Sequence, residues 1–438
     1  MVRRTGHSLR KAVEAIGEHP PPGPFRPGFW RSPLRGPWLT SVFGLVLLVG
    51  VPVMFLTGLL SYAAYNPDLG PPNDMTPGKG ILGFYLFAWP TRPVWLYRLT
   101  QGVHVTLGLV LVPVVLAKLW SVIPKLFDWP PFRSIAQLIE RLSLLLLVGG
   151  IVFEMATGIL NIQLFYAALP FSFYTAHFYG AWVLMAAFVV HALIRFGRMT
   201  SALRSRSLRA ELRTPLAETR PEPPDPDGLV ASDPGPATIS RWGLGLVSAG
   251  SLSLFVFSVG QTLGGPFRRL ALLAPRGHAY GNGPNDFPVN KTAADRGISA
   301  EETGPAWRLE LVGPSPHSLS RDDLLEMPQH TYRLPIACVG GWSTEQTWTG
   351  VRLADLTRLS GAGAAGSVLV ESLERSGGFR SARLRRNQIF DPRSLLALEV
   401  NGADLSLDHG YPARVIVPAN PGVHNTKWVA KLTFDPSP

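Results

Sequence analysis

Cys338 is the only cysteine among 438 residues and stands in the string Ile336-Ala337-Cys338-Val339-Gly340-Gly341-Trp342-Ser343. A lone thiol has no intramolecular disulfide partner, so its options are packing, nucleophilic attack or metal ligation. Taken singly, a cysteine is most often a small buried hydrophobe. Its company here is chemical: downstream come His409-Gly410-Tyr411-Pro412-Ala413-Arg414 and Thr426-Lys427-Trp428-Val429. A soft thiolate suits a transition metal. Arginine offers a planar fork and lysine a point charge to an anion. In the front half, His104, His177 and His191 lie inside apolar runs, where ionisable groups are costly and usually functional. Paired imidazoles are axial ligands for haem iron, and interhelical hydrogen bonding is the plainer alternative.

The elements that must carry these residues follow from the apolar pattern. Five segments are long enough to span a bilayer as helices: Leu39–Ala64, Gly102–Ile123, Leu142–Leu160, Ala176–Phe196 and Trp242–Leu263. Pro52 and Pro113 interrupt two of them, which membrane helices tolerate. Basic residues cluster before the first span, between the second and third, and after the fourth, whereas 161–175 has none. Positive-inside then puts the N-terminus in the cytoplasm and, after five crossings, residues 265–438 outside. The formal net charge of +11 lies beside apolar spans, which fits a membrane protein and argues against nucleic acid as a partner. No signal-peptide pattern opens the chain, whose first 38 residues are basic and proline-rich.

The expected organisation is therefore multi-domain. A basic cytoplasmic segment, 1–38, precedes an all-α transmembrane bundle of four helices, 39–198. Residues 199–240, with Pro221-Glu222-Pro223-Pro224-Asp225-Pro226, read as a disordered linker. A fifth linking span occupies 241–264, and 265–438 form one soluble domain. Short β-rich runs such as 307–312, 367–370 and 414–417, with helical stretches at 320–325 and 352–360, make that domain α+β. No internal repeat is evident.

On this topology His104 and His177 fall early in their spans, near the outer surface, where one haem would face the external domain. His177 and His191 are roughly 21 Å apart on about the same helix face. A second haem at His191 would want a partner near Lys118, where no membrane histidine stands.

The ordered set Val289-Asn290-Lys291-Thr292, Cys338 to Ser343, Trp348-Thr349-Gly350-Val351, Val400-Asn401-Gly402, His409 to Arg414 and Thr426-Lys427-Trp428 resembles the sulfite-oxidase family of molybdopterin enzymes. The resemblance implies an α+β sulfite-oxidase-type domain with Mo-molybdopterin, in which Cys338 is the catalytic molybdenum ligand. It also implies that Asn290, His409, Arg414 and Lys427 contact the pterin and its phosphate. Thr100 to His104, Ala117 to Ser121, Thr157 to Gln163 and His177 to Trp182 resemble the membrane cytochrome b fused to such domains. That implies haem b, one copy with a second left open, on His104, His177 and His191, including a swapped His104–His191 pairing.

Two departures bear on substrate. Sulfite oxidases follow the ligand cysteine with Ala-Gly-Asn-Arg-Arg, and this chain has Val339-Gly340-Gly341-Trp342-Ser343. A tyrosine often found before Asn-Gly is replaced by Leu398. The resemblance is expected to lie with the shorter branch that includes periplasmic methionine sulfoxide reductases, rather than with sulfite oxidases that carry a C-terminal dimerisation domain. Thr238-Ile239-Ser240-Arg241-Trp242-Gly243-Leu244 looks like a twin-arginine signal with Trp242 in place of the second arginine.

The expected function is a multi-pass cell-membrane oxidoreductase. It would exchange two electrons and an oxygen atom with a small extracytoplasmic sulfoxide or sulfite-like substrate. Its b-haem would link that chemistry to the quinone pool. The alternative is a membrane cytochrome b bearing a non-catalytic domain that binds a partner or ligand.

Overall fold

The computed structural model describes residues 20–64, 87, 89–130, 135–162, 171, 173–225, 228–263, 281–377 and 379–436. The expectation that 161–175 lacks basic residues at an outer loop falls mostly outside them. Four long helices carry the apolar runs: α1 (Pro37–Ala64), α2 (Leu96–Leu126), α3 (Ile135–Ile162) and α4 (Phe173–Ser205). All four are long and apolar enough to cross a membrane. Several of their apolar side chains point outward, with Leu193 74% and Ile194 68% exposed, a surface that water would penalise and lipid would not. After a short helix α5 (Leu208–Arg213), helix α6 (Arg241–Leu263) coincides with the fifth expected span, and its described apolar stretch is Trp242–Leu254.

The chain divides into two compact units. One comprises Met1–Phe55, Leu107–Ala156 and Tyr179–Phe255; the other comprises Leu56–Thr106, Thr157–Phe178 and Val256–Pro438. In the first, Leu47, Val51, Leu111 and Val115 form a buried cluster, and Leu111 packs where Gly50 leaves no side chain. The 199–240 stretch, expected as a linker, carries the end of α4, the short helix α5 and a buried carboxylate, Glu222. Glu222 accepts hydrogen bonds from the Trp38 and Leu39 amides at 2.8 and 3.2 Å. Those are donors that the first turn of α1 cannot satisfy internally, and the positive end of the helix dipole favours the anion.

The second unit contains the C-terminal domain. Here α7 (Ala293–Arg296) leads to β1 (Leu309–Val312), β2 (His317–Leu319), α8 (Arg321–Glu326), β3 (His330–Ala337) and β4 (Ser343–Arg352). Helix α9 (Leu353–Leu359), β5 (Ala365–Ser372), β6 (Ser381–Arg385), α10 (Arg386–Ile389) and β7 (Leu395–Val400) follow, then β8 (Ala403–Asp404), β9 (Arg414–Ile416) and β10 (Val429–Pro436). One sheet has the order β2-β1-β10-β5-β6, with β1 and β10 parallel and its other pairs antiparallel. The other runs β3-β4-β7-β8, with β9 on β7.

Alternation explains the burial: in β1, Leu309 and Leu311 are buried while Glu310 and Val312 are exposed. Leu309, Leu356, Val370, Leu384, Leu396 and Leu432 meet in one core, each worth roughly 1.5–3 kcal/mol of burial. Leu398, the residue standing for the family tyrosine, belongs to that core and is fully buried.

Candidate functional site

Cys338 sits at the tip of the β3–β4 hairpin. Its amide donates to the Trp342 carbonyl at 2.9 Å, and the Gly341 amide donates back to the Cys338 carbonyl at 3.0 Å. The turn needs Gly341 at φ +85°, a left-handed value that only glycine adopts freely. Two N–H groups point at the sulfur: Asn290 Nδ2 at 2.6 Å and the Gly340 amide at 3.3 Å. Trp342 Nε1 donates to Asn290 Oδ1 at 3.1 Å, which fixes the amide so that its NH2 faces the thiol. Donors aimed at sulfur favour the thiolate over the thiol.

Cys338 lines a cavity of about 290 Å³. Asn290, Arg414 and Lys427 line it as well, with three charged residues that sequence reasoning missed: Lys291, Arg296 and Glu374. Lys291 follows Asn290 directly, so its neighbour was a signal; Glu374 and Arg296 had none. Glu374 bonds Lys291 and lies 3.6 Å from Arg296 Nε. Asn161 at the end of α3 also faces the cavity.

Four cations around one carboxylate leave the cavity short of negative charge. Burial pushes the Arg414 guanidinium down to about 9. It is held by the Asn425 and His409 carbonyls, both at 3.2 Å. Burial, with the charges of Arg414 and Lys291, holds Lys427 well below the usual ammonium range, and burial also lowers Lys291. Lys427 Nζ donates to the Lys291 and Asp408 carbonyls at 2.8 and 2.6 Å. An anion in the cavity would relieve both strains, because desolvated cations gain most from opposite charge.

His409 is placed differently from the others, being absent from the cavity lining. Its ring stacks on Phe287, centroids 3.6 Å apart, and Nε2 lies 2.8 Å from the Asn285 carbonyl. Burial, then the charges of Arg414 and Lys427, push it down to about 3, so it is a neutral imidazole whose Nε2–H donates to Asn285.

The same unit brings His104 of α2 and His177 of α4 together, ring centroids 6.3 Å apart and planes at 78°. Thr57 Oγ1 lies 3.1 Å from His104 Nδ1, and Thr157 Oγ1 lies 3.0 Å from His177 Nδ1. Each threonine precedes a glycine at whose Cβ position the imidazole edge sits, at 3.2 Å for Gly58 and 3.8 Å for Gly158. His191 is further along α4, in the other unit. Among the described residues no three His, Cys, Asp or Glu side chains cluster to hold a bare metal. A metal held in an organic cofactor at Cys338 or between the histidines would bring its remaining ligands with it. Both sites fit such a group: a donor-bound thiol beside an anion-seeking cavity, and two imidazoles with ring centroids 6.3 Å apart.

The family model described as oxidoreductase molybdopterin binding domain matches residues 297–438. Mitochondrial sulfite oxidase of Homo sapiens is 30% identical over 159 residues, covering 30% of this chain and 29% of that protein. The uncharacterized oxidoreductase YuiH of Bacillus subtilis (strain 168) is 30% identical over 157 residues, covering 35% of this chain and 76% of its own length. Among solved structures, the sulfane dehydrogenase SoxCD from Paracoccus pantotrophus matches at 25% identity with a TM-score of 0.27, covering 30% of this chain and 38% of that one. The chain thus spans under a third of the length of the sulfite oxidases it matches.

Proposed function

From the premise that this chain belongs to the molybdopterin-binding oxidoreductase family, we propose that it is a membrane-bound enzyme acting on a small extracytoplasmic sulfoxide or sulfite-like substrate. Its C-terminal domain is a molybdopterin oxidoreductase domain. The observation that carries the whole-chain reading is that Cys338 and the His104–His177 pair lie in one compact unit. Four helices fit to cross a bilayer and the skewed lysine and arginine placement support a cytoplasmic N-terminus; with α6 as a fifth crossing, the catalytic domain would lie outside.

When bound, molybdenum supplies two-electron oxygen-atom exchange and haem b supplies one-electron transfer. The residues of this chain bind and orient. Cys338 would hold the metal, with Asn290 and the Gly340 amide directing its sulfur. Arg414, Lys427 and Lys291 would meet the phosphate of the pterin. His409 would act as a neutral brace for the backbone that carries Arg414. His104 and His177 would hold the haem iron, and the haem would supply electron exchange with the quinone pool. Trp342-Ser343 stand where sulfite oxidases have paired arginines, so any anionic substrate would rely on Arg296.

Metal and haem analysis of the purified full-length protein tests the reading. We expect molybdenum near one per chain and one b-haem by pyridine haemochrome. Cys338→Ser should remove molybdenum and turnover while the haem spectrum stays. Haem without molybdenum, from a cofactor-competent host, would instead support a non-catalytic binding module.

A further inference from the structure

Gln101 lies on α2, one turn before His104, and is 6% exposed. Its Nε2 donates to the carbonyl of Val339 at 2.5 Å. That carbonyl and the Gly340 amide are two ends of one peptide group, and the Gly340 N–H points at Cys338 Sγ at 3.3 Å. At its other end Gln101 accepts a hydrogen bond from Ser61 Oγ of α1 at 2.8 Å. The arrangement is a single line of polar groups: Ser61 hydroxyl, Gln101 amide, the 339–340 peptide, Cys338 sulfur. The hairpin tip is seated closely on α2, for a Cβ at Gly341 would meet Val105 Cβ at 2.8 Å.

We propose that Gln101 is a positioning residue for the Cys338 sulfur and tunes the metal it would hold; this rests on the molybdenum reading above. A donor on the Val339 oxygen polarises the peptide and strengthens its N–H as a donor to sulfur, because hydrogen bonds in a chain reinforce one another. Hydrogen bonds to a ligating sulfur draw electron density from it and favour the more electron-rich, reduced metal. Ser61 fixes the amide of Gln101 in the sense that turns NH2 toward Val339. A helix fit to cross the membrane thereby reaches the ligand loop through one side chain, and that side chain stands a single turn from an imidazole of the haem pair.

The test is an EPR-monitored redox titration of molybdenum in the full-length holoprotein, with the thiolate-to-metal charge-transfer absorption recorded alongside. Gln101→Leu should move the molybdenum midpoint potential to a more negative value and shift the charge-transfer band, with haem content and haem spectrum unchanged. Ser61→Ala removes only the group that orients the amide and should move the potential in the same direction by less. Wild-type potential and band in a Gln101→Leu protein that retains molybdenum would overturn the proposal. Should Gln101→Leu fail to load the metal, an unshifted potential in Ser61→Ala overturns it. A wild-type protein without molybdenum defeats the functional reading itself, and the role of Gln101 falls with it.

Discussion

A residue's chemistry in this chain is set by the groups that aim it. Cys338 has three neighbours doing so, Asn290, Gly340 and, through the peptide, Gln101. Each imidazole of the pair has its threonine. On the haem reading proposed above, Thr57 and Thr157 would accept from Nδ1 and Nε2 would be the nitrogen that holds the iron, as the hydrogen-bond partners of metal-bound imidazoles commonly arrange. Gly341 is the residue at which this scale is most easily tested. Gly341→Ala demands a positive φ of an L residue, about 1–2 kcal/mol, and drives its methyl into Val105. The expected result is a loss of at least ~2 kcal/mol and reduced molybdenum retention, read by thermal unfolding and elemental analysis; wild-type values in both would show that the tip has room to shift. The cysteine and the two histidines were legible because their residue types are rare at such positions. Thr57, Gln101 and Glu374 were not, since a threonine or glutamine in an apolar helix reads as ordinary packing polarity until its partner is seen. His409 was legible as a candidate from its motif; its stacking on Phe287 and its bond to the Asn285 carbonyl were not.

Elements were the most readable level. Runs of apolar residues longer than a bilayer crossing leave little choice but helix, so the four long helices contain the expected spans and extend beyond them into polar flanks. The β-rich runs at 307–312, 367–370 and 414–417 became β1, β5 and β9, because alternation with Gly and Pro breaks suits a half-buried strand. The contacts of the 199–240 stretch were not legible, because a Pro- and Glu-rich composition speaks only to core formation. Among the contacts that hold it are Trp38 Nε1 on the Arg206 carbonyl, Arg31 on Asp233 and the Glu222 carboxylate on the first turn of α1. Gly36 makes that approach feasible, since a Cβ there would lie 2.3 Å from Glu222 Cδ. Glu222→Ala should therefore uncap α1 and cost about 1–2 kcal/mol. Hydrogen exchange of the 38–40 amides would rise sharply, while exchange in β4 and β7 stays as in the wild type; protection retained at 38–40 would remove the cap from the argument.

On the scale of the whole molecule, acidity should act on the C-terminal domain through two buried histidines rather than through its surface charges. Burial pushes His424 down to about 4, and burial with nearby cations pushes His409 to about 3. Both stay neutral when folded over a range in which an unfolded histidine, near 6.5, takes up a proton. The unfolded chain then binds more protons, so stability is full above pH 6.5 and drains as pH falls toward 4. From pH 8 to pH 5 each histidine accounts for about 2 kcal/mol, at 1.36 kcal/mol per unit below 6.5. Surface pairs such as Arg375 with Glu302 contribute little to this slope, being exposed and screened. Hydrogen exchange of β4 and β7 in the full-length protein should show global opening becoming easier by roughly 4 kcal/mol over that interval. His424→Gln should remove about half of the slope, whatever it does to stability at pH 8. An unchanged slope in that variant would mean that the acid response comes from groups other than His424.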